Sequence, residues 1–305
     1  MKEPKTIAIL GLGEAGTALA SGLRDGLVWS EGKGDLLAVD IAFDDGARGH
    51  AIRDRATTLN VPVYKDYGQF LAGADIVISV VTGVEALSAI TEAKPHLKDG
   101  AVFLDLNTVT REMAITNASV VEDSGINYID VAVMGMFYNF GYKAPLLLAG
   151  PNASMVGDWM SAAGFDITVL SEHIGDASAV KMLRSILMKG LEALSVECLV
   201  AAERHGLRSA VLNCLADLDN ISFADFVCKL VTTHTVHAQR RLEEMTLVRE
   251  TLIDSGVQPL MTDAICRSHA RTIDSKAIVE NGVVPELSEA LSRLMGTVQA
   301  SAAQT

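Results

Sequence analysis

Residues 6–16 read TIAILGLGEAG and decide the fold of the first part of the chain. An apolar run typical of a buried strand leads into glycines at the spacing G-x-G-x-x-G, and an Ala- and Leu-rich helical pattern follows. In such a turn Gly11 permits the bend, Gly13 lets the backbone approach a pyrophosphate, and Gly16 allows the helix to pack closely on the strand. Phosphates then lie on free N–H groups at the positive end of the helix. The segment therefore predicts a dinucleotide site.

An acidic residue follows this motif at about the separation expected of a ribose-binding carboxylate. Residues 36–40 are typical of a second strand and end in Asp40. Arg48 and Arg53 lie downstream, but no arginine comes directly after Asp40. Because a carboxylate accepts hydrogen bonds from ribose hydroxyls and repels a 2′-phosphate, we predict NAD rather than NADP as the cofactor. The alternative interpretation of the glycine segment as a whole is an α/β turn that binds no ligand.

The composition narrows the class of protein. The chain has 305 residues, 49% of them apolar, and a net charge of −13. This length suits two domains, and the charge argues against a general affinity for nucleic acid or an anionic membrane. No apolar run reaches the roughly 18 residues that a membrane span needs. The four cysteines are scattered without metal-ligand spacing, which favours reduced thiols in a cytoplasmic protein and no metal site.

Two architectures follow one another along the chain. Up to about residue 170, short β-branched runs such as 75–81 and 101–106 alternate with helix-like segments, which predicts a mostly parallel sheet. Residues 176–205 keep helical periodicity, and no convincing strand follows them. We therefore predict an α/β Rossmann-type dinucleotide-binding domain at residues 1–172. An all-α C-terminal domain is predicted at residues 173–305.

Lys181 is the candidate catalytic residue. It lies about a turn and a half into the predicted long helix, where the helix dipole still disfavours a positive charge. Arg184, three residues further on, adds a like charge on the same face. Both effects favour loss of the lysine proton near neutral pH, as required of a general base that removes an alcohol proton. The alternative is a solvated lysine on a helix surface.

Several segments together resemble the β-hydroxyacid dehydrogenase and 6-phosphogluconate dehydrogenase superfamily. They are the glycine motif, the alternating sheet series and the pattern G-x-x-x-x-x-K from Gly175 to Lys181. Residues 105–108 (DLNT), 181–194 and 237–245 (HAQRRLEEM) are similar to a subgroup with its own C-terminal helical domain. The resemblance implies that Lys181 is the catalytic acid/base.

The resemblance also implies a set of cofactor contacts at the glycine turn and after later strands. These residues are Gly11, Leu12, Gly13, Glu14, Ala15, Gly16, Asp40, Val81, Thr82 and Asn107. Asn107 matches the polar residue that lies between nicotinamide and substrate in the superfamily. Two alternatives stay open, since Thr82 could be a plain helix N-cap and Asn107 a turn or N-cap residue.

Two departures from the superfamily pattern affect the predicted substrate site, to which we assign Asn107, Met134, Gly135, Arg184 and Ser185. Ser185 stands where many relatives have asparagine, and Met-Gly-Met at 134–136 replaces their Ser-Gly-Gly turn. A hydroxyl that would bind a carboxylate is therefore missing. Either Arg184 or another basic group holds an anion, or the substrate is not a small hydroxyacid. The aromatic residues 137–142 could stack on a bulky substrate or pack between domains.

His237, Arg240 and Arg241 fall on one face of a predicted C-terminal helix. Such a face could close over an anionic or hydroxylated substrate, on the same or the partner subunit. A structural network of ion pairs with Glu243 and Glu244 is the alternative.

These observations combine into one prediction. It is an NAD-dependent dehydrogenase or reductase that transfers hydride between nicotinamide and a hydroxyl or carbonyl carbon of a small hydroxyacid-like or aryl-substituted alcohol. One alternative is an imine reductase on the same scaffold, which usually lacks the lysine, and another is a non-catalytic protein that senses the dinucleotide. The helix from residue 176 is too apolar to be half exposed, so we predict a homodimer.

Overall fold

The structure, a computed structural model, describes residues 4–25, 35–135, 137–279 and 282–297. It divides into two compact units, Met1–Ile186 and Leu187–Thr305. The strands of the first unit are β1 (Thr6–Leu10), β2 (Asp35–Val39), β3 (Val63–Tyr64), β4 (Ile76–Ser79), β5 (Val102–Asp105), β6 (Asn127–Val133), β7 (Leu146–Ala149) and β8 (Ile167–Ser171). They form one sheet in the order β3-β2-β1-β4-β5-β6-β7-β8. Each neighbouring pair is parallel except β6–β7, which is antiparallel.

The central strands are buried on both faces of the sheet, which explains their unbroken apolar sequence. Along β1, Ile7 and Ile9 pack in one apolar core, whereas Ala8 and Leu10 pack in a second core. Since successive side chains of a strand point to opposite faces, the sheet separates the two cores. The connecting helices are α1 (Glu14–Asp25), α2 (Gly46–Leu59), α3 (Ala86–Ala93), α4 (Arg111–Ser119), α5 (Phe137–Phe140) and α6 (Ala153–Ala162).

The long helix α7 (Asp176–Arg204) begins in the first unit and continues into the second. The described part of the second unit is otherwise helical, without a strand. Its helices are α8 (Arg208–Cys214), α9 (Phe223–Asp254), α10 (Leu260–Asp274) and α11 (Leu287–Met295). No helix within the described ranges is long and apolar enough to cross a membrane.

Polar contacts fix α10 within the second unit. The Glu197 carboxylate of α7 accepts hydrogen bonds from the N–H groups of Met261 and Thr262 at 2.8 and 2.9 Å, and so satisfies the free donors at the start of α10. Further along, the rings of His234 and His269 stack with their centroids 4.7 Å apart and join α9 to α10.

The predicted fold class, a Rossmann-type domain followed by a helical region, is confirmed. The boundary differs, because the compact units divide inside α7 rather than at residue 172. Asp130 of β6 binds the start of α7 through Gly175 and Ser178, so the first turns of the helix belong with the sheet. Strand β3 was not predicted, since two residues carry no recognisable periodicity.

Candidate active site

The glycine turn between β1 and α1 is closed by backbone contacts. Gly11 has a φ of +93°, and its N–H donates to the Val39 carbonyl at 2.7 Å. A Cβ on Gly16 would lie 2.0 Å from the Gly11 carbonyl oxygen, so only glycine lets α1 approach the turn this closely. A Cβ on Gly13, in contrast, would meet no atom within 4 Å. The space beside Gly13 therefore fits the approach of a pyrophosphate to the backbone.

Asp40 lies just past the end of β2, with 7% of its surface exposed. Its Oδ2 accepts a hydrogen bond from the Leu12 N–H at 2.9 Å, and its Oδ1 accepts one from the Ala42 N–H at 3.0 Å. The carboxylate thus holds the glycine turn against the end of the second strand. Since a carboxylate has about four acceptor positions, it retains capacity for ribose hydroxyls.

Two cavities meet beside the glycine turn and form one groove, because Glu14, Ala15, Val80 and Val81 line both. What we call the Asp40 cavity is also lined by Gly11, Gly13, Asp40, Ile41, Arg48, Arg55, Tyr67 and Thr82. What we call the Lys181 cavity, about 580 Å³ in volume, is also lined by Leu106, Thr108, Val133, Gly135, Phe137 and Lys181. The groove therefore leads from the carboxylate past the glycines to the lysine, as an extended dinucleotide requires.

Two arginines of α2 line the Asp40 cavity. They are Arg48 and Arg55, whereas Arg53 lies over the Phe43 ring, 5.4 Å from its centroid. Arg48 and Arg53 were noted in the sequence, but Arg55 was not predicted. The signal that could have found it is the spacing of Arg48, Ile52 and Arg55 at i, i+4 and i+7, which places them on one helix face.

Tyr67, which was not predicted either, gives the Asp40 cavity a neutral hydroxyl. Burial raises the pKa of Tyr67 to about 12, and the nearby carboxylates of Glu92, Glu85 and Asp40 raise it in the same direction. The hydroxyl is therefore protonated at neutral pH and can donate a hydrogen bond to a ligand.

Lys181 is half-buried on α7 and lines the cavity that bears its name. Burial lowers the pKa of Lys181 because the ammonium loses hydration, and the Asp130 carboxylate acts in the opposite direction. The net direction is downward, as expected from the sequence. Burial was not among the expected causes, however. Arg184 is exposed, and burial rather than Arg184 accounts for the lowered pKa.

Asn107 is buried after β5, and its Nδ2 donates to Ser79 Oγ at 2.9 Å. Its Oδ1 is buried and has no hydrogen-bond partner among the residues that the structure describes. The N-cap of α4 is Thr110, whose side chain accepts from the Met113 N–H, so the N-cap interpretation of Asn107 was wrong. A buried acceptor without a donor is costly, which is consistent with a polar ligand group at Asn107.

The other predicted residues of the first unit have diverse environments. Val81 and Thr82 line the Asp40 cavity, and Thr82 Oγ1 donates to the Glu85 carboxylate at 3.0 Å. Gly135 lines the Lys181 cavity. Met134 instead packs against a small alanine cluster, and Ser185 Oγ donates to the Lys181 carbonyl at 2.8 Å. The Ser185 hydroxyl is thus engaged along its own helix.

His237, Arg240 and Arg241 lie on α9, in the second unit. Arg240 forms an exposed ion pair with Glu244 at 3.1 Å, which agrees with the alternative of a structural ion-pair network. Arg241 Nη2 donates to Thr233 Oγ1 at 2.8 Å. A substrate role for this face stays a prediction. In the described ranges, no group of three or more His, Cys, Asp and Glu side chains could hold a metal ion.

Comparisons with known proteins agree with this geometry. Residues 6–154 match the NAD binding domain of 6-phosphogluconate dehydrogenase, and residues 202–272 match a domain of unknown function, DUF1932. A conserved hypothetical protein from Sinorhizobium meliloti 1021 is 31% identical, over 96% of this chain and 97% of that chain, with a TM-score of 0.57. The conserved protein MTH1747, of unknown function and similar in structure to 3-hydroxyacid dehydrogenases, is 28% identical over 88% and 97% of the two chains, with a TM-score of 0.56.

A more distant structure shares the fold. It is an imine reductase from Myxococcus stipitatus in complex with NADP+, 15% identical over 95% of this chain and 99% of that chain, with a TM-score of 0.74. The chain belongs to the family that joins a 6-phosphogluconate dehydrogenase-type NAD-binding domain to a DUF1932 domain. The predicted superfamily and subgroup are therefore confirmed. The family and the fold support a dinucleotide-dependent oxidoreductase.

The glycine turn gives a first test. In Gly13→Ala the new methyl group lies in open space, so we expect a melting temperature like that of the wild type and an NAD+ affinity at least about tenfold weaker. Gly16→Ala places a methyl group on the Gly11 carbonyl, which should destabilise the fold by about 1–3 kcal/mol. Calorimetric titration with NAD+ and thermal unfolding measure both effects. Wild-type affinity in Gly13→Ala would contradict the proposed pyrophosphate position.

Proposed function

We propose that the protein is an NAD-dependent dehydrogenase or reductase acting on a hydroxyl or carbonyl carbon, with Lys181 as general acid/base. The observation that carries this proposal is the half-buried amine in a cavity continuous with the glycine-turn groove. Gly11, Gly13 and Asp40 would hold the dinucleotide at one end of that groove. When bound, the nicotinamide supplies the redox chemistry by accepting or giving a hydride.

The chemistry of Lys181 follows from its burial. The lowered pKa increases the fraction of neutral amine near pH 7, and a neutral amine can accept a proton at Nζ. In the oxidative direction the substrate hydroxyl gives its proton to Nζ as its carbon loses the hydride. In the reductive direction the ammonium returns that proton to the carbonyl oxygen. The walls of the cavity in which we place this exchange are mostly apolar.

The lining of the Lys181 cavity bears on the substrate. Leu106, Val133 and Phe137 are apolar, while Thr108 contributes a hydroxyl and Glu14 a carboxylate. We infer a small hydroxyacid-like or aryl-substituted alcohol, or the matching carbonyl compound, with an apolar body against these walls.

We propose NAD as the cofactor because Asp40 lies at the ribose end of the groove. Its buried carboxylate would accept hydrogen bonds from the ribose hydroxyls and repel a 2′-phosphate. NADP is the alternative, and a specific observation favours it. Arg48 and Arg55 line the same cavity, and the imine reductase with this fold was solved with NADP+.

We also propose that the chain forms a homodimer in the cytoplasm. Along α7, large apolar side chains are exposed, among them Leu183 (66%), Ile186 (72%) and Val196 (60%). A second copy of the chain would cover these side chains, because a helix exposed on its apolar side gains most from a self-complementary partner. All cysteines are free thiols, which is consistent with a reducing compartment.

The catalytic proposal predicts that Lys181→Ala lowers kcat by about 10²- to 10⁴-fold, while the Kd for NAD+ changes by less than about twofold. The control is Lys189→Ala on the same helix, since that lysine is exposed and pairs with Glu192. We would follow NADH absorbance with phosphorylated sugar acids, short hydroxyacids and aryl-substituted alcohols. Undiminished turnover in Lys181→Ala would refute the lysine mechanism. NAD+ binding without turnover on alcohols, carbonyls or imines would favour the dinucleotide sensor.

The cofactor proposal predicts that NAD+ binds at least about tenfold more tightly than NADP+. Arg48→Ala and Arg55→Ala should then change the affinities for NAD+ and NADP+ by the same factor. Arg53→Ala alters an arginine outside the cavity and should change neither affinity. Fluorescence titration measures all eight affinities of the wild type and these variants. A selective loss of NADP+ binding in Arg48→Ala or Arg55→Ala, with tighter wild-type binding of NADP+, would reverse the cofactor assignment.

The dimer proposal predicts that the wild type elutes with twice the chain mass when size-exclusion chromatography is coupled to light scattering. A double variant, Leu183→Glu with Ile186→Glu, should be monomeric, because it buries two carboxylates in the interface. Val84→Glu is the matched control, since Val84 is an apolar side chain 90% exposed outside α7. A monomeric wild type at micromolar concentration would exclude the dimer.

A further inference from the structure

Asp130 is a buried carboxylate to which the proposed mechanism gives no direct role. It lies in β6, is 1% exposed, and pairs in register with Asp105 of β5. Its Oδ2 accepts hydrogen bonds from the N–H groups of Gly175 and Ser178, each at 3.0 Å, and its Oδ1 accepts one from Ser178 Oγ at 2.6 Å. All three bonds join the sheet to the start of α7.

The same part of α7 leads directly to Lys181. Ser178 and Lys181 are three residues apart, so their side chains lie on one face of the helix. Ser178 is 2% exposed and bound to Asp130, which turns this face toward β6. Any rotation of the first turn would carry the lysine away from its cavity.

We propose that Asp130 is the positioning residue of the active site, which fixes the first turn of α7 and places a negative charge at the helix face that carries Lys181. This inference rests on the acid/base role proposed for Lys181. Asp130 lines neither the Asp40 cavity nor the Lys181 cavity, and it acts only through the lysine.

Two opposing effects set the basicity of the lysine. Burial lowers the pKa of Lys181, and the Asp130 carboxylate raises it. If burial alone acted on the pKa of the Lys181 amine, the amine would be a weak base. A general base works best when its pKa is near the working pH. The pKa of Asp130 is itself raised, mainly by burial and further by the Asp105 carboxylate, while the donors of Ser178 and Gly175 stabilise its anion and limit the rise.

Other charged groups lie near the lysine. Glu14 of α1 lines the same cavity, Arg184 is exposed on α7, and Asp105 of β5 lies beside Asp130. Among the described residues, Asp130 is the charge that acts on the pKa of Lys181.

Asp130→Asn removes the charge and can keep the contacts. The amide oxygen can accept from the Gly175 and Ser178 N–H groups, while the amide nitrogen donates to Ser178 Oγ. The matched control is Asp176→Asn, which removes a carboxylate from the same helix turn. Asp176 pairs instead with Arg111 at 3.1 Å and accepts from Ser171 Oγ.

The measurement is the pH titration of Lys181 by NMR in protein labelled with ¹³C at the lysine ε-carbons, with the signal assigned by its loss in Lys181→Met. We expect the midpoint to move to lower pH in Asp130→Asn and to stay in place in Asp176→Asn. In Asp130→Asn, the rising limb of the pH profile of kcat/KM for alcohol oxidation should also move to lower pH. Ser178→Ala keeps the charge and removes one bond, so we expect about tenfold lower kcat with an unmoved midpoint.

An unmoved midpoint in a folded Asp130→Asn would overturn the electrostatic part of the inference, and an equal shift in Asp176→Asn would do the same. If Asp130→Asn does not fold, unchanged kcat in Ser178→Ala would overturn the positioning part. Failure of the proposed function is distinguishable. In that case no substrate turns over, yet the midpoint of Lys181 still responds to Asp130→Asn.

Discussion

Buried carboxylates that accept backbone N–H groups hold the candidate site together. A carboxylate removed from water requires hydrogen-bond donors, and in this sheet the donors come from neighbouring loops. Asp40 binds the Leu12 N–H of the glycine turn, Asp105 binds the Asn107 N–H, and Asp130 binds the start of α7. Each hydrogen bond connects one element of the groove to a strand, so the positions of the strands determine the positions of the site residues.

The same burial gives the site its chemistry. Burial of the Lys181 ammonium lowers its pKa, and the Asp130 carboxylate of β6 limits the effect. Burial also has a free-energy cost for the neutral side chain of Asn107, since its buried Oδ1 has no hydrogen-bond donor within the described residues. Position and reactivity therefore depend on one property, the depth at which polar groups lie at this edge of the sheet.

The sequence predicted what local patterns encode. Residues 6–16 indicated a strand, a glycine turn and a helix because spacing along the chain determines all three, and the long C-terminal helices were evident from their periodicity. It could not reveal contacts between distant segments. The bond between Asn107 and Ser79, the burial that lowers the pKa of Lys181, and the place of Arg55 beside Asp40 all arise from packing.

The most direct test of the central claim is a crystal structure of the protein with bound NAD+. We expect the pyrophosphate to lie beside Gly13, the adenine ribose beside Asp40, and the nicotinamide ring in the Lys181 cavity. A nicotinamide ring found outside that cavity, with Lys181 out of reach of its reactive face, would contradict the proposed function.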